Sequence, residues 1–210
     1  MPLTKLFNMS LKASVEPESW RIANVIRIFK KEDSSLSSNY RPISLTTIVG
    51  KLLEAIISNF IRKHGFTSGR SCLTNLLTFF SSVFESVDEG HNYDVVYLDF
   101  SKAFDRVPHE RLIRKVEAHG IKGDILKWIR GWLQDRRQGV SINGTKSQWS
   151  NITSGVSQGS VPGPLLFIVH INDIDIGIDS NISKFADDTK IGRVNKSDED
   201  SAKLQEDLKK

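Results

Sequence analysis

Residues 94–100 read Asp-Val-Val-Tyr-Leu-Asp-Phe, and Ser-Lys-Ala-Phe follows at 101–104. β-Branched and aromatic residues run through the first seven positions without a helical period, which predicts a central β-strand. The strand ends on an acid, Asp99. It therefore brings one carboxylate to the end of a sheet.

A second group of acids, Asp187 and Asp188, lies at the tip of a hairpin predicted over 182–191. Neighbouring carboxylates repel each other, so such a cluster is suited to bind a divalent cation. Two cations held in this way lower the pKa of an attacking hydroxyl and neutralise a leaving pyrophosphate, which is the chemistry of polymerases. Taken alone, an Asp-Asp pair in a turn is more often a solvated loop, and Asp99 more often an ordinary strand-end residue.

The flanking sequence predicts further helices and strands. Apolar residues at helical spacing predict an amphipathic helix over 48–61, with Lys51, Glu54 and Arg62 facing solvent. The other predicted elements are a strand over 23–29, helices over 73–87, 108–119, 123–134, 165–171 and 197–210, and a hairpin whose strands, 140–142 and 146–149, flank Asn143-Gly144. Strands mixed with helices, including antiparallel hairpins, predict an α+β fold.

Length and composition limit the protein classes. The chain has 210 residues, 39% of them hydrophobic, which predicts one domain or one domain of two lobes. A net charge of +4 permits a polyanionic partner without requiring one. The single cysteine, Cys72, excludes an internal disulfide, so we expect an intracellular protein, with nucleus or cytoplasm left open. No apolar run approaches the length of a membrane helix.

Five blocks of sequence, spanning roughly residues 16–206, resemble the reverse transcriptases of non-long-terminal-repeat (LINE-type) retrotransposons in the family's order. The most specific is 95–109, which is similar to the family's motif A. The other blocks are 18–45 (the fingers hairpin), 64–72, 154–165 (motif B) and 184–189 (motif C). The resemblance implies the fingers and palm of a right-hand polymerase, the palm being a ferredoxin-like sheet with helices on one face. It places the fingers at about 14–93, the palm at about 94–206 and a tail at 1–13.

The resemblance also implies a catalytic centre with two Mg²⁺ ions, for which Mn²⁺ is a possible substitute. Asp99, Asp187 and Asp188 match the family's catalytic and metal-binding acids, and the backbone carbonyl of Phe100 matches a further ligand. Asp105 is expected to cap the following helix instead of binding metal.

Nucleotide binding is expected of residues in three blocks. Arg41 and either Lys30 or Lys31 would contact the triphosphate, although a solvated charged loop explains these side chains as well. Phe104 matches the bulky residue that excludes a ribose hydroxyl. Gln158 and Gly159 would line the pocket, with glycine required because no side chain fits there. The block 64–72 is expected near the template, but a helix-capping turn explains it almost equally well.

The implied activity is RNA-templated addition of deoxynucleotides to a primer, so the expected partners are an RNA template, a DNA primer and deoxynucleoside triphosphates. The chain departs from the family at Ser157, Pro162 and Phe185, at a shortened segment before Gly65, and by stopping before motif D and the thumb. The competing interpretation is a catalytically silent remnant that at most binds nucleic acid or a partner protein. A metal-dependent hydrolase would leave the residues expected to bind nucleotide without a role. Oligomeric state is left open.

Overall fold

The computed structural model describes residues 2–65, 72–185 and 187–210. The chain divides into two compact units. Unit 1 comprises Met1–Phe66 and Lys102–His170, and unit 2 comprises Thr67–Ser101 and Ile171–Lys210. The fingers and palm boundaries of the sequence analysis stay a prediction, because these units group the chain differently.

Helices and strands alternate irregularly along the described residues. The helices are α1 (Pro2–Ala13), α2 (Glu18–Arg21), α3 (Ile48–Gly65), α4 (Cys72–Asp88), α5 (His109–Ala118), α6 (Gly123–Leu133), α7 (Gly163–Ile171) and α8 (Asp198–Asp207). The strands are β1 (Ile22–Phe29), β2 (Tyr40–Leu45), β3 (Asn92–Asp99), β4 (Arg136–Ile142), β5 (Thr145–Lys146), β6 (Ser150–Ile152), β7 (Asn181–Phe185) and β8 (Asp188–Asn195). The predicted α+β class is confirmed.

The sheet of unit 1 has the strand order β2-β1-β4-β5, and β6 also pairs with β4. β1 runs antiparallel to β2 and parallel to β4. The predicted turn between β4 and β5 is confirmed, since Asn143 and Gly144 both have positive φ, 50° and 82°. The strand predicted at 146–149 is shorter, and Trp149 lies against Gly139 of β4, where an added Cβ would be 3.1 Å from the indole ring.

The first thirteen residues, predicted as a tail, contain α1, which packs against α6. The indole Nε1 of Trp128 donates a 3.1 Å hydrogen bond to Ser10 Oγ, and Ser10 Oγ donates to the carbonyl of Val15. At Gly131 a Cβ would lie 2.3 Å from the carbonyl oxygen of Ser14. The segment is therefore an ordered part of unit 1.

The helix predicted over 48–61 is confirmed, but it runs four residues further, to Gly65, and the prediction of which face is buried is wrong. Leu53, Ile57 and Ile61 are buried, whereas Ile48 is 79% exposed. Leu52, Ile56 and Phe60, also expected to be buried, are exposed too. Glu54, predicted to face solvent, is 2% exposed. The apolar residues of this helix lie on two faces. The face that is buried in the core carries Leu53, Ile57 and Ile61 together with Glu54.

Unit 2 is built on a three-stranded antiparallel sheet with the order β3-β8-β7. β3 is the predicted central strand, and β7 and β8 form the predicted hairpin. α4 packs against β3 and β7, and α8 packs against β8. The carboxylate of Asp207 in α8 accepts hydrogen bonds from the backbone N–H and the hydroxyl of Ser180, which join the end of α8 to the start of β7. Among the described residues, no helix is long and apolar enough to cross a membrane.

Candidate active site

The carboxylates of Asp99 and Asp188 stand on neighbouring strands of unit 2. Asp99 is the last residue of β3, Asp188 is the first of β8, and the two face each other in the antiparallel register. Facing residues point to the same side of the sheet, with Cβ atoms about 4.5–5.5 Å apart. Both acids are exposed, and Asp187 lies in the turn immediately before β8. The structure therefore brings together two acids that are 89 positions apart in the sequence.

These acids have the donor chemistry that a hard divalent cation requires, since carboxylate oxygens are the preferred ligands of Mg²⁺. Among the described residues, no three or more His, Cys, Asp or Glu side chains lie close enough together to form a complete metal site. The residues thus fit a cation by chemistry and by strand position. Phe100, predicted to add its carbonyl, follows β3 directly and is half-buried.

In unit 1, the segment that follows the motif A strand is hydrogen-bonded to the segment that begins motif B. The bonds are Gly155 N–H to the carbonyl of Val107 (2.8 Å), Val156 N–H to that of Phe104 (2.7 Å), and Ser154 Oγ to that of Asp105 (2.9 Å). His109 Nε2 lies 2.8 Å from the carbonyl oxygen of Gly155. This attachment fixes the backbone of Phe104, the predicted gate residue.

Gly155 is required by the close approach of these two segments. Its φ is +90°, and an added Cβ would lie 2.7 Å from the Cα and the carbonyl oxygen of Asp105. Sequence reasoning did not single out this glycine for packing. The prediction that Asp105 caps the next helix is wrong: α5 has Pro108 at its N-cap position without a side-chain cap, and Asp105 lies in the short 3₁₀ turn Ala103–Arg106.

The ring of Phe104 is stacked on Phe167 of α7, with centroids 4.5 Å apart and planes at 18°. Phe167 is buried, while Phe104 is half-buried. One face of the predicted gate residue is therefore supported by the core of unit 1, which holds its position.

Gln158 and Gly159 meet the end of β2. The carbonyl of Gln158 accepts a 2.7 Å hydrogen bond from the N–H of Ser44. Gly159 has φ +108°, and its Cβ would lie 2.6 Å from the carbonyl oxygen of Ser44. A side chain at Gly159 would therefore collide with the backbone of β2, and the expected role of Gly159 in a nucleotide pocket stays a prediction.

Glu54 of α3 connects motif B to the core. Its Oε1 accepts a 2.9 Å hydrogen bond from Trp132 Nε1, and its Oε2 accepts one of 3.0 Å from the N–H of Val161. The sequence predicted Glu54 to face solvent with Lys51 and Arg62, so it gave no sign of this role. Its burial is what identifies it.

The predicted triphosphate contacts all lie on the β1–β2 hairpin or the loop that joins its strands, and all are exposed. Arg41 faces Ile28 in the register, the N–H of Lys30 donates to the carbonyl of Asn39, and Lys31 forms an exposed ion pair with Glu32. Exposed pairs of this kind are worth little in water. These cations are therefore accessible to an anionic ligand. The block 64–72, with Arg70, lies largely outside the described residues.

Comparison with known proteins supplies the family. The sequence model of the family described as "Reverse transcriptase (RNA-dependent DNA polymerase)" matches residues 28–210. The chain belongs to this family. It is 30% identical over 192 residues to the "Probable RNA-directed DNA polymerase from transposon BS" of Drosophila melanogaster, covering 82% of this chain and 20% of that protein.

A further relative is the "RNA-directed DNA polymerase from mobile element jockey" of the same species, 29% identical over 217 residues, with 93% of this chain and 24% of that protein covered. The predicted relationship to non-long-terminal-repeat retrotransposons is confirmed. The chain spans about a fifth to a quarter of the length of these curated relatives.

Among solved structures, this reverse transcriptase chain is similar to apo telomerase from Candida tropicalis truncated from its C-terminal domain. The TM-score is 0.60 at 12% identity, and the match covers 98% of this chain and 51% of that one. A likeness at this identity concerns the fold, and it confirms the expected fingers and palm architecture of the reverse transcriptases.

Both prolines of motif B, Pro162 and Pro164, are accommodated at the start of α7. α7 begins at Gly163, so Pro162 precedes it and Pro164 lies in its first turn, where no N–H is needed. The carbonyl of Pro162 accepts the N–H of Leu166. At Ser157, another position expected to depart from the family, the carbonyl accepts a 2.7 Å hydrogen bond from Ser160 Oγ.

Proposed function

We propose that this reverse transcriptase chain carries out RNA-templated DNA synthesis, adding deoxynucleotides to the 3′ end of a DNA primer. The observation that supports this most directly is the register of Asp99 opposite Asp188, with Asp187 in the adjoining turn. In the reaction the primer 3′-oxygen forms a bond to the α-phosphorus of the incoming nucleotide, and the bond to pyrophosphate breaks.

In this proposal Asp99, Asp187 and Asp188 hold two Mg²⁺ ions, or Mn²⁺ in their place, with the carbonyl of Phe100 as a further ligand. What the bound cations supply is a lower pKa for the attacking hydroxyl and charge neutralisation at the leaving pyrophosphate. The protein's own contribution is to keep the carboxylates of Asp99 and Asp188 on one side of a hydrogen-bonded strand pair, where they need little rearrangement to bind.

The incoming nucleotide is the second part of the proposal. The exposed side chains of Arg41 and of Lys30 or Lys31 bind its triphosphate, because guanidinium and ammonium groups suit a ligand with several negative charges. Phe104, held by its stack on Phe167, excludes a ribose 2′-hydroxyl by overlap. Gln158 and Gly159 contribute to the nucleotide pocket. Since the reaction needs an RNA template, a DNA primer and deoxynucleoside triphosphates, we place it inside the cell.

Primer extension on a homopolymeric RNA template with a DNA primer and Mg²⁺ tests the proposal. The informative variants are Asp99→Asn and Asp188→Asn, which keep the shape of the side chain and remove its charge. The matched control is Asp88→Asn, which replaces an exposed acid at the end of α4 in the same unit.

We expect incorporation by the wild type and by Asp88→Asn, and a loss of about 10²-fold or more in Asp99→Asn and Asp188→Asn. Incorporation that persists in both site variants would contradict the assignment of these acids. No incorporation by a correctly folded wild-type chain would favour the silent remnant, which binds nucleic acid or a protein partner at most.

A further inference from the structure

A cavity of about 880 Å³ lies in unit 1, and the residues that line it do not include those predicted to bind the nucleotide. The described residues that line it include three arginines, Arg21, Arg136 and Arg137, and two acids, Glu18 and Asp135. Gln134, Asn151 and Thr153 add polar side chains to its wall. A cavity of this size holds a small ligand with room to spare. Its excess of guanidinium groups favours an anion.

Arg136, at the start of β4, is the deepest of these cations, with 3% of its side chain exposed. Among the described residues, neither its Nε nor its Nη2 has a hydrogen-bond partner. The nearest acid is Glu16, whose carboxylate oxygen is 3.6 Å from Nη1 and makes no hydrogen bond within the described chain. A buried guanidinium whose N–H groups are not all used is costly unless an acceptor is supplied.

Two buried acids lie near Arg136. Burial raises the pKa of Glu16 to about 7, against the lowering effect of Arg136 itself, so near neutral pH this acid offsets only part of the arginine's charge. Glu54 also interacts electrostatically with Arg136, and its carboxylate accepts hydrogen bonds from Trp132 and Val161. The lining of the cavity itself has three guanidinium groups against two carboxylates, and this excess favours an anion.

The other two arginines are held by acids that a ligand can replace. Arg21 Nη1 is 3.5 Å from Asp135, whose side chain is 82% exposed, and Arg21 Nε has no partner in the described residues. Arg137 pairs with Glu18, whose side chain is 77% exposed. Ion pairs with such exposed acids contribute little stability, so exchanging them for a stronger ligand costs little.

We infer that this cavity is a binding site for a phosphate group, held by Arg21 and Arg137 beside the buried charge of Arg136. Phosphate fits because a guanidinium donates two parallel hydrogen bonds to its oxygens, and because Gln134, Asn151 and Thr153 offer further donors. The phosphate can belong to a free nucleotide or to a nucleic-acid strand that crosses the surface. The inference does not depend on the catalytic acids.

The test uses the full chain in EDTA, so that metal-dependent binding at the carboxylates does not contribute. Inorganic phosphate and a deoxynucleoside monophosphate are titrated by ³¹P NMR line broadening, and a labelled single-stranded oligonucleotide by fluorescence anisotropy. The variants are Arg21→Gln and Arg137→Gln. Arg130→Gln is the matched control, because Arg130 is in the same unit, is 43% exposed against 39% for Arg137, and is likewise paired to an exposed acid.

We expect Arg21→Gln and Arg137→Gln each to weaken phosphate binding by about tenfold, and Arg130→Gln to change it by less than about twofold. Asp135→Asn removes a competing acid and should strengthen phosphate binding. A misfolded variant would not produce that gain. Asp135 has φ +54°, which asparagine tolerates, so this variant should fold.

The two sources of phosphate give different results. If a nucleic-acid strand supplies it, Arg137→Gln also weakens oligonucleotide binding. The slope of the logarithm of the binding constant against the logarithm of the salt concentration then falls in magnitude by about one. If a free nucleotide supplies it, the monophosphate titration changes and the oligonucleotide titration does not. The inference is overturned if wild-type protein does not broaden the phosphate signal, or if Arg130→Gln loses as much binding as Arg137→Gln.

Discussion

The indole Nε1 of Trp132 donates a 2.9 Å hydrogen bond to Oε1 of Glu54, a carboxylate that lies on another helix and is almost fully buried. The second oxygen of Glu54 accepts the N–H of Val161 in motif B. One acid therefore joins α3, α6 and the loop before α7 within unit 1.

Replacing Glu54 by glutamine should destabilise unit 1. The amide of glutamine has one acceptor oxygen, so its NH₂ group would face one of the two donors, and we expect a loss of about 1–3 kcal/mol in the free energy of unfolding. Denaturant unfolding followed by tryptophan fluorescence measures it. Glu110→Gln, at an exposed acid of the same unit, is the control and should have little effect. Equal unfolding midpoints for the two variants would contradict the role of Glu54.

The stability of unit 1 should fall as the pH rises from about 4.5 to about 7. Burial raises the pKa of Glu16 from 4.5 to about 7; Glu54 adds to the rise, and Arg136 and Arg21 oppose it. In that window the folded chain keeps a proton that the unfolded chain has released, so the Glu16 contribution to the free energy of unfolding decreases, by up to about 3 kcal/mol, and is constant above the window.

The test for Glu16 is a comparison with Glu16→Gln, which is neutral at every pH. We expect the variant to gain stability relative to the wild type as the pH rises from about 5 to about 8, a range that contains the raised pKa of Glu16. Chemical unfolding at several pH values measures the difference. Parallel stability curves for the two proteins would show that Glu16 does not titrate in this range.

Gly155→Ala should be poorly tolerated. The new Cβ would lie 2.7 Å from the Cα of Asp105, and the backbone at φ +90° disfavours any side chain. Gly120→Ala is the matched control, because Gly120 has φ +85° in unit 1 with nothing within 4 Å of its Cβ. We expect Gly120→Ala to lose about 1 kcal/mol of unfolding free energy and Gly155→Ala to lose more, with primer extension reduced. Equal losses would mean that the contact with motif A is unimportant.

Phe104→Val should relax the choice between deoxyribonucleotides and ribonucleotides, if the proposed function is correct. The smaller side chain no longer occupies the space of the 2′-hydroxyl, so we expect the ratio of ribonucleotide to deoxyribonucleotide incorporation to rise by about tenfold or more. Phe104→Tyr keeps the ring and its stack on Phe167, and should discriminate like the wild type. An unchanged ratio in Phe104→Val would remove the gate role.

Motif identity and element type followed from short stretches of sequence. The strand over 94–100, the hairpin over 182–191 and the turn at Asn143-Gly144 were all predicted, because strand propensity and positive-φ turn residues are local properties. The family followed from motif A and motif C, whose residues are contiguous. The roles of Asp99, Asp187 and Asp188 stay a prediction for the primer-extension test.

The tertiary structure decided what no local pattern contains. It placed Asp99 opposite Asp188, since strand register depends on pairing between distant segments. It turned Glu54 inward and Ile48 outward, because the face of α3 that is buried depends on what packs against it and not on its own periodicity. It also ordered α1 against α6, and it brought Arg21 to the same cavity as Arg136 and Arg137, which are neighbours in the sequence but distant from Arg21. Sequence determined the family and its acids, and long-range packing determined their arrangement.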